Sequence, residues 1–398
     1  MELKNIRLMK LVSLFSGMSF FTPVLSLYFL SRGVSLGTII FAQAAYSILI
    51  ILAEVPTGVI ADKFGHKTSV VLGMVCNVLA YLCFLLSPGV LAIFVAYIFF
   101  GLGDALVSGS QEALVHTSSK AGVFRKNWSK IMSFENYGSV VGTLIASVLY
   151  SVLDERSFLP LLFCGMGARI VAVGVASLTQ EVRSATESED ANMLSIARTA
   201  LSQIAKSTTL RNLTFVKLLT LSAQYVVYSV YAPYFKEAGV LPIMIGLVLT
   251  IGALGNGVTL QFSHKLEKYL SLNNAVVALP MLMGGTFILM SIVSNPWVLV
   301  ASFVFLQAQF NLLDPIISDY INHEAEPNTR ATVLSGISFI RSIGNTLSKV
   351  VLGAVVAGLG VAGMFRAQAL YLFVGGLLSW WLLKRCGCVY VLPKENKV

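Results

Sequence analysis

Glu54 interrupts a long apolar run, and eight residues later Asp62 opens a knot of charge with Lys63, His66 and Lys67. Eight residues span about 12 Å of helix. If the run crosses a bilayer core of about 30 Å, Glu54 lies near mid-depth. A carboxylate there is costly and turns to a bundle interior or to water. Its placement suits reversible protonation or contact with a polar substrate; a structural bond to a neighbouring span is the other reading. Pro56, one half-turn on, removes a backbone donor and invites a kink. Asp104 and Arg169 also stand deep in apolar runs. Either they brace one another, or Asp104 faces a cavity and shares the proton-coupling role with Glu54. Asp314 and Lys349 form a further candidate buried pair. Glu135 and Arg341 carry opposite charge several residues into the membrane. They either attract across a gate or pair locally, Glu135 with Lys130 and Arg341 with Asp314.

Catalytic chemistry is not expected. There is no nucleotide-cradling glycine loop and no H-E-x-x-H, and His66, His116, His264 and His323 are scattered. The chain therefore reads as a non-enzyme with no cofactor and no metal. Cys386 and Cys388 supply two thiols, too few to close a tetrahedral site.

The elements that must carry these groups are helices. The 398 residues are 56% hydrophobic and 12% charged, against about 25% charged in soluble domains, and the mean hydropathy is +0.79. Apolar runs long enough to cross a bilayer recur at about 8–31, 36–61, 68–87, 89–116, 128–152, 158–179, 212–235, 241–263, 272–294, 296–321, 332–359 and 361–383. Only helices satisfy their own backbone there, so the expected fold is an all-α membrane protein of twelve spans. With the N-terminus in the cytoplasm, inner segments hold twenty Lys and Arg and outer segments four. The positive-inside rule then places both termini in the cytoplasm. The formal charge of +9 is accounted for by topology and by attraction to anionic lipid, not by nucleic acid.

A shift of 206 residues lays YFLSRGV (28–34) on YFKEAGV (234–240), and Ser129, Ile131 and Gly138 on Ser335, Ile337 and Gly344. Glu135 and Arg341 fall on matched positions. The expected organisation is a six-helix bundle over 1–180, a polar cytoplasmic linker over 181–211, a second bundle over 212–385 and a tail over 386–398. Such a parallel duplication places a path between the halves.

GVIADKFGHK (58–67) resembles the loop 2–3 signature of the major facilitator superfamily, with Ile60, Lys63 and His66 as mild departures. The preceding EVPTG, GLGDALVSGSQEAL (101–114) and RATVLSGISFI (330–340) are similar to its prokaryotic drug or metabolite efflux branch. The resemblance implies alternating access, with Gly58, Asp62, Gly65, His66 and Lys67 as a cytoplasmic latch. Gly58 would let another helix approach closely, and Asp62 would take a helix N-terminus or the neighbouring bases. The equivalent second-half stretch (262–272) lacks the Gly-Asp core. The superfamily lines its cavity with spans 1, 4, 7 and 10, which makes Phe21, Gln224, Tyr225, Tyr228, Tyr231, Gln307 and Asn311 candidate wall residues. Aromatics with a few amides suit an amphipathic organic molecule, although such a stripe also serves packing. The Gly-Pro pair of an antiporter signature is missing from ENYGSVVGTLIASVL (135–149); Gly138 and Gly142 leave a G-x-x-x-G face. The expectation is a monomeric, proton-coupled exporter of a small compound in a bacterial inner membrane. Import or facilitated diffusion on the same fold, or a non-transporting sensor, is the alternative.

Overall fold

The structure, a computed structural model, describes residues 2–86, 89–120, 122–181, 202–252, 254–255, 272–324 and 330–385. The second-half counterpart of the signature and the Cys386–Cys388 tail lie outside the described residues, as does the linker core (182–201).

The described residues form helices joined by short turns, with no strand among them. The helices are α1 (Glu2–Gly17), α2 (Leu25–Ser31), α3 (Leu36–Phe64), α4 (His66–Leu86), α5 (Val90–Thr117), α6 (Phe124–Leu153), α7 (Phe158–Ser177), α8 (Thr208–Glu237), α9 (Pro242–Gly252), α10 (Leu272–Ile292), α11 (Pro296–Glu324) and α12 (Arg330–Arg385). The first span is α1 and α2 together, and α12 holds two spans. Its break is Gly360, whose φ of 67° only glycine adopts without strain. Eight runs are long and apolar enough to cross a membrane; Phe124–Ser177 and Gly336–Leu382 each hold two crossings. With α9 and the start of α11, twelve spans result.

The first span breaks between Gly17 and Thr22, where Pro23 lies in a short 3-10 turn before α2. The backbone of α6 presses against this break: a Cβ on Gly138 would stand 2.0 Å from the Leu14 carbonyl, and one on Gly142 2.5 Å from the Ser19 amide. The G-x-x-x-G face therefore packs α6 backbone-to-backbone on the first span. The repeat-related Gly344 packs on the Leu218 side chain of α8, the same helix pairing one shift along. By contrast, α3 runs unbroken through Pro56. Thr57 there donates to the Ala53 carbonyl at 2.7 Å and to the Ala105 carbonyl of α5 at 3.3 Å.

The chain forms two compact units. One comprises 1–190 with 229–253 and 349–357; the other comprises 191–228, 254–348 and 358–398. Each has an apolar core. Met9, Val12, Met74, Leu114, Ile131 and Ala172 knit the first; Leu213, Val216, Val276, Ile317, Ile321 and Val333 knit the second. Leu52, Leu86, Leu91 and Val152 are 67%, 76%, 76% and 74% exposed, which suits acyl chains rather than water.

Candidate functional site

The polar groups of the first unit converge around Asp104. Its helix crosses α4 closely, because Gly73 and Gly103 face one another: a Cβ on either would come within 2.7 Å of the other's carbonyl. That crossing brings Asn77 of α4 to Asp104, where it hydrogen-bonds the carboxylate. Tyr46 of α3 donates its hydroxyl to the same carboxylate. Arg169 of α7 acts on Asp104, and on Glu135 of α6, through its charge. Arg169 and Asp104 are thus neighbours, as expected, but no direct ion pair joins them among the described residues. Nε of Arg169 is buried without a partner there. Two neutral donors, not the guanidinium, hold the acid.

Lys349 belongs to this unit. Only 6% exposed, it donates from Nζ to Ser47 at 2.7 Å and stands 6.0 Å from the centroid of the Tyr46 ring. The expected partner, Asp314, lies in α11, and its side chain is outside the described residues, as is that of Asn311. One turn from Ser47, Gln43 accepts from Ser229 at 2.7 Å and meets the Tyr97 hydroxyl. Gln43, Ser47 and Glu54 follow one another at spacings of four and seven, so they share a face of α3. Glu54 is exposed.

Segments 229–253 and 349–357 therefore join the first unit by specific contacts. Thr143 and Thr250 share a hydrogen bond of 2.8 Å, and Lys236 meets Glu155 at 2.9 Å. Gly353 presents its carbonyl 3.1 Å from a Cβ built on Gly37.

The signature region departs from expectation. Asp62 is exposed and takes no helix N-terminus. Instead Glu181, 115 residues from His66, accepts from the His66 amide at 3.0 Å and the Lys67 amide at 2.8 Å. It caps α4 as an anion at the positive end of the helix dipole. Gly65 permits this with a φ of 93°; a Cβ there would lie 2.5 Å from Glu181 Oε2. A Cβ on Gly58 meets nothing within 4 Å, so the close approach expected there is not made. Glu181→Ala leaves two helix-terminal amides without their acceptor. The expected loss is about 1–2 kcal/mol of stability, read as a lowered unfolding midpoint in detergent; an unchanged midpoint contradicts the cap. Beside it, Asn5 donates to Ser118 and to the Gln180 carbonyl, both at 2.9 Å, and accepts from the Gln180 amide. It ties the ends of three helices.

Among the wall candidates, Phe21 is a packing residue, not a wall residue: it is 1% exposed, with its ring 5.3 Å from Tyr28 and 5.9 Å from Phe84. Tyr231, 3% exposed, donates to the Pro23 carbonyl at 3.4 Å. In the second unit, Tyr228 is 36% exposed and donates to Gln307 at 2.9 Å; Gln224, one turn earlier, bonds the same hydroxyl. Gln224 and Tyr225 are half-buried, and so is Arg341. Glu135 is exposed, in the first unit. Between α10 and α11 opens a largely apolar groove of about 620 Å³ lined by Leu282, Leu289, Trp297 and Phe305, with no charged residue in its lining.

Sequence reasoning passed over Tyr46, Ser47, Asn77 and Glu181. Tyr46, Ser47 and Asn77 carried a readable signal, since a polar side chain inside an apolar span needs a partner. Glu181 carried none, because its acceptor role depends on where the end of α7 lies.

Membrane-crossing helices with ionisable side chains held among them are the frame of a polytopic membrane transporter. The family model described as Major Facilitator Superfamily matches residues 11–349, and the chain belongs to that superfamily. The MFS-type transporter YxaM of Bacillus subtilis (strain 168) is 26% identical over 369 residues, 90% of either chain. Quinolone resistance protein NorA of Staphylococcus aureus (strain MSSA476) is 22% identical, covering 86% of this chain and 87% of its own. The crystal structure of nucleoside transporter NupG superposes with a TM-score of 0.78 at 15% identity, over 96% of this chain and 99% of its own; that likeness shows the fold alone.

Proposed function

We propose that this transporter exports a small amphipathic organic compound by alternating access, driven by protons that enter through Asp104 or Glu54. Both termini lie in the cytoplasm and the membrane is a bacterial inner membrane. The observation that carries the reading is Asp104, a carboxylate inside an apolar bundle whose partners are the neutral donors Tyr46 and Asn77. Neutral donors leave an acid able to gain and lose its proton, where a tight ion pair with Arg169 would fix its charge. The substrate class draws on the half-exposed Tyr228 with its amides, Gln224 and Gln307, and on the relative whose name records resistance to quinolones.

Transport into sealed everted vesicles, with an imposed pH gradient and a panel of fluorescent amphipathic dyes, tests the reading. Flux that follows the gradient is expected. Dye movement indifferent to the gradient contradicts proton drive and favours a facilitator; no movement across the panel favours a sensor. Glu54 is exposed on the same α3 face as Ser47, which suits a residue that hands protons to or from water. Glu54→Gln is expected to slow gradient-driven flux while leaving dye binding unchanged, measured by fluorescence anisotropy. Wild-type flux from that variant removes Glu54 from the proton path.

A further inference from the structure

We propose that Tyr46 and Lys349 form a relay through which the charge on Asp104 holds segment 349–357 against α3, so that ionised Asp104 keeps this side of the transporter shut and protonated Asp104 releases it. The inference rests on the reading that the chain alternates access, and it assigns residues that reading does not use.

Three contacts in series carry it. Tyr46 donates its hydroxyl to Asp104. The face of its ring supports the Lys349 ammonium at 6.0 Å. Lys349 Nζ donates to Ser47, the next residue of α3, at 2.7 Å. A phenol that donates to a carboxylate gains electron density in its ring, and the attraction of an ammonium for the ring face grows with that density. Protonating Asp104 withdraws that density and frees the Tyr46 hydroxyl to turn. Lys349 then keeps the Ser47 bond but is held less strongly by the Tyr46 ring.

The groups facing Asp104 are consistent with this direction. Tyr46 reaches it from α3, Asn77 from α4 and Arg169 from α7, and Glu135 of α6 shares the field of Arg169. Tyr97, on the same helix as Asp104, packs its ring 5.8 Å from that of Tyr46. Lys349 is the cation here that comes from the second half of the sequence. Beyond it, Gly353 and Ala357 pack on Gly37, so a change at Lys349 acts on a segment already in backbone contact with α3. The Thr143–Thr250 and Ser229–Gln43 bonds close the same unit and would part with it.

The test needs no substrate. Spin labels at Arg156→Cys and Glu237→Cys flank the Lys236–Glu155 contact; the five native cysteines are replaced. Pulsed electron paramagnetic resonance reads the label distance in lipid from neutral to acid buffer. The short-distance population is expected to dominate near neutrality, where Lys349 is an ammonium, and to fall in acid. Asp104→Asn is expected to give the acid distribution at every pH. Tyr46→Phe keeps the ring under Lys349 but lacks the hydroxyl, and its distribution is expected to be flat with pH. Lys349→Gln should likewise lose the response. A Tyr46→Phe or Lys349→Gln protein whose distances follow pH as the wild type does overturns the relay. A pH-insensitive gate with gradient-driven flux intact overturns the relay alone; a responsive gate without any flux overturns the export reading alone.

Discussion

Asp104→Asn is expected to reduce gradient-driven dye flux to the level of protein-free vesicles while leaving the protein folded. The substitution keeps size and shape. Its side-chain oxygen still accepts from Tyr46, the donor that holds Asp104 now. The new amide needs an acceptor, and Asn77 can supply one by turning its own amide, because Asn77 Oδ1 is buried without a partner. The hydrogen bonding is therefore conserved, and the protein is expected to keep its fold. The carboxylate's charge and its capacity to bind and release a proton are lost. Flux assays beside unfolding midpoints separate the two effects. Full gradient-driven flux from Asp104→Asn would move the proton path to Glu54; an unfolded protein would make Asp104 a structural acid.

The second large effect concerns the packing that positions this acid's bundle. Gly138→Ala places a methyl group 2.0 Å from the Leu14 carbonyl and 3.1 Å from the Met18 amide. Both are main-chain atoms, at the point where the first span breaks, so neither can swing aside as a side chain would. The helices must separate, at a cost of about 3 kcal/mol, the upper end of the overpacking range. The repeat-related Gly344→Ala is the internal comparison. Its methyl group meets the Leu218 Cδ2 at 2.5 Å, the far end of a flexible side chain, and a rotamer change relieves it at about 1 kcal/mol. Thermal unfolding in detergent is expected to show a much lower midpoint for Gly138→Ala than for Gly344→Ala. Equal midpoints would contradict the backbone-to-backbone contact of α6 with the first span.

The spans were legible because crossing a bilayer demands long apolar helices, a signal carried by composition over some twenty residues. Gly138 and Gly344, matched by the 206-residue shift, pack the fifth span on the first and the eleventh on the seventh, one through backbone and the other through a side chain. Site details were harder. Glu54, Asp104 and Arg169 announced themselves as charges in apolar surroundings, but a charge does not name its partner. For Lys349 the sequence suggested Asp314, whose side chain lies outside the described residues; its bond to Ser47 and its place over the Tyr46 ring cross some three hundred residues of sequence. The cap on α4 shows the same limit. Asp62 sits beside the helix start and was the natural candidate, yet the turn at Gly65 leaves room for Glu181, brought there by the end of α7. Phe21 erred in the other direction: an aromatic residue beside Pro23 reads equally well as wall or core, and burial against Tyr28 and Phe84 decided for core.

Coupling between substrate and proton is the central claim, and it is reciprocal: if a pH gradient drives the substrate, a substrate gradient must drive protons. Proteoliposomes loaded with a pH-sensitive dye, prepared with no pH difference and given a gradient of a transported compound alone, test this most directly. The account predicts that the internal pH shifts as the compound moves, with protons travelling the opposite way, and that Asp104→Asn abolishes the shift. A compound that equilibrates through the wild-type protein while the internal pH stays constant would contradict it.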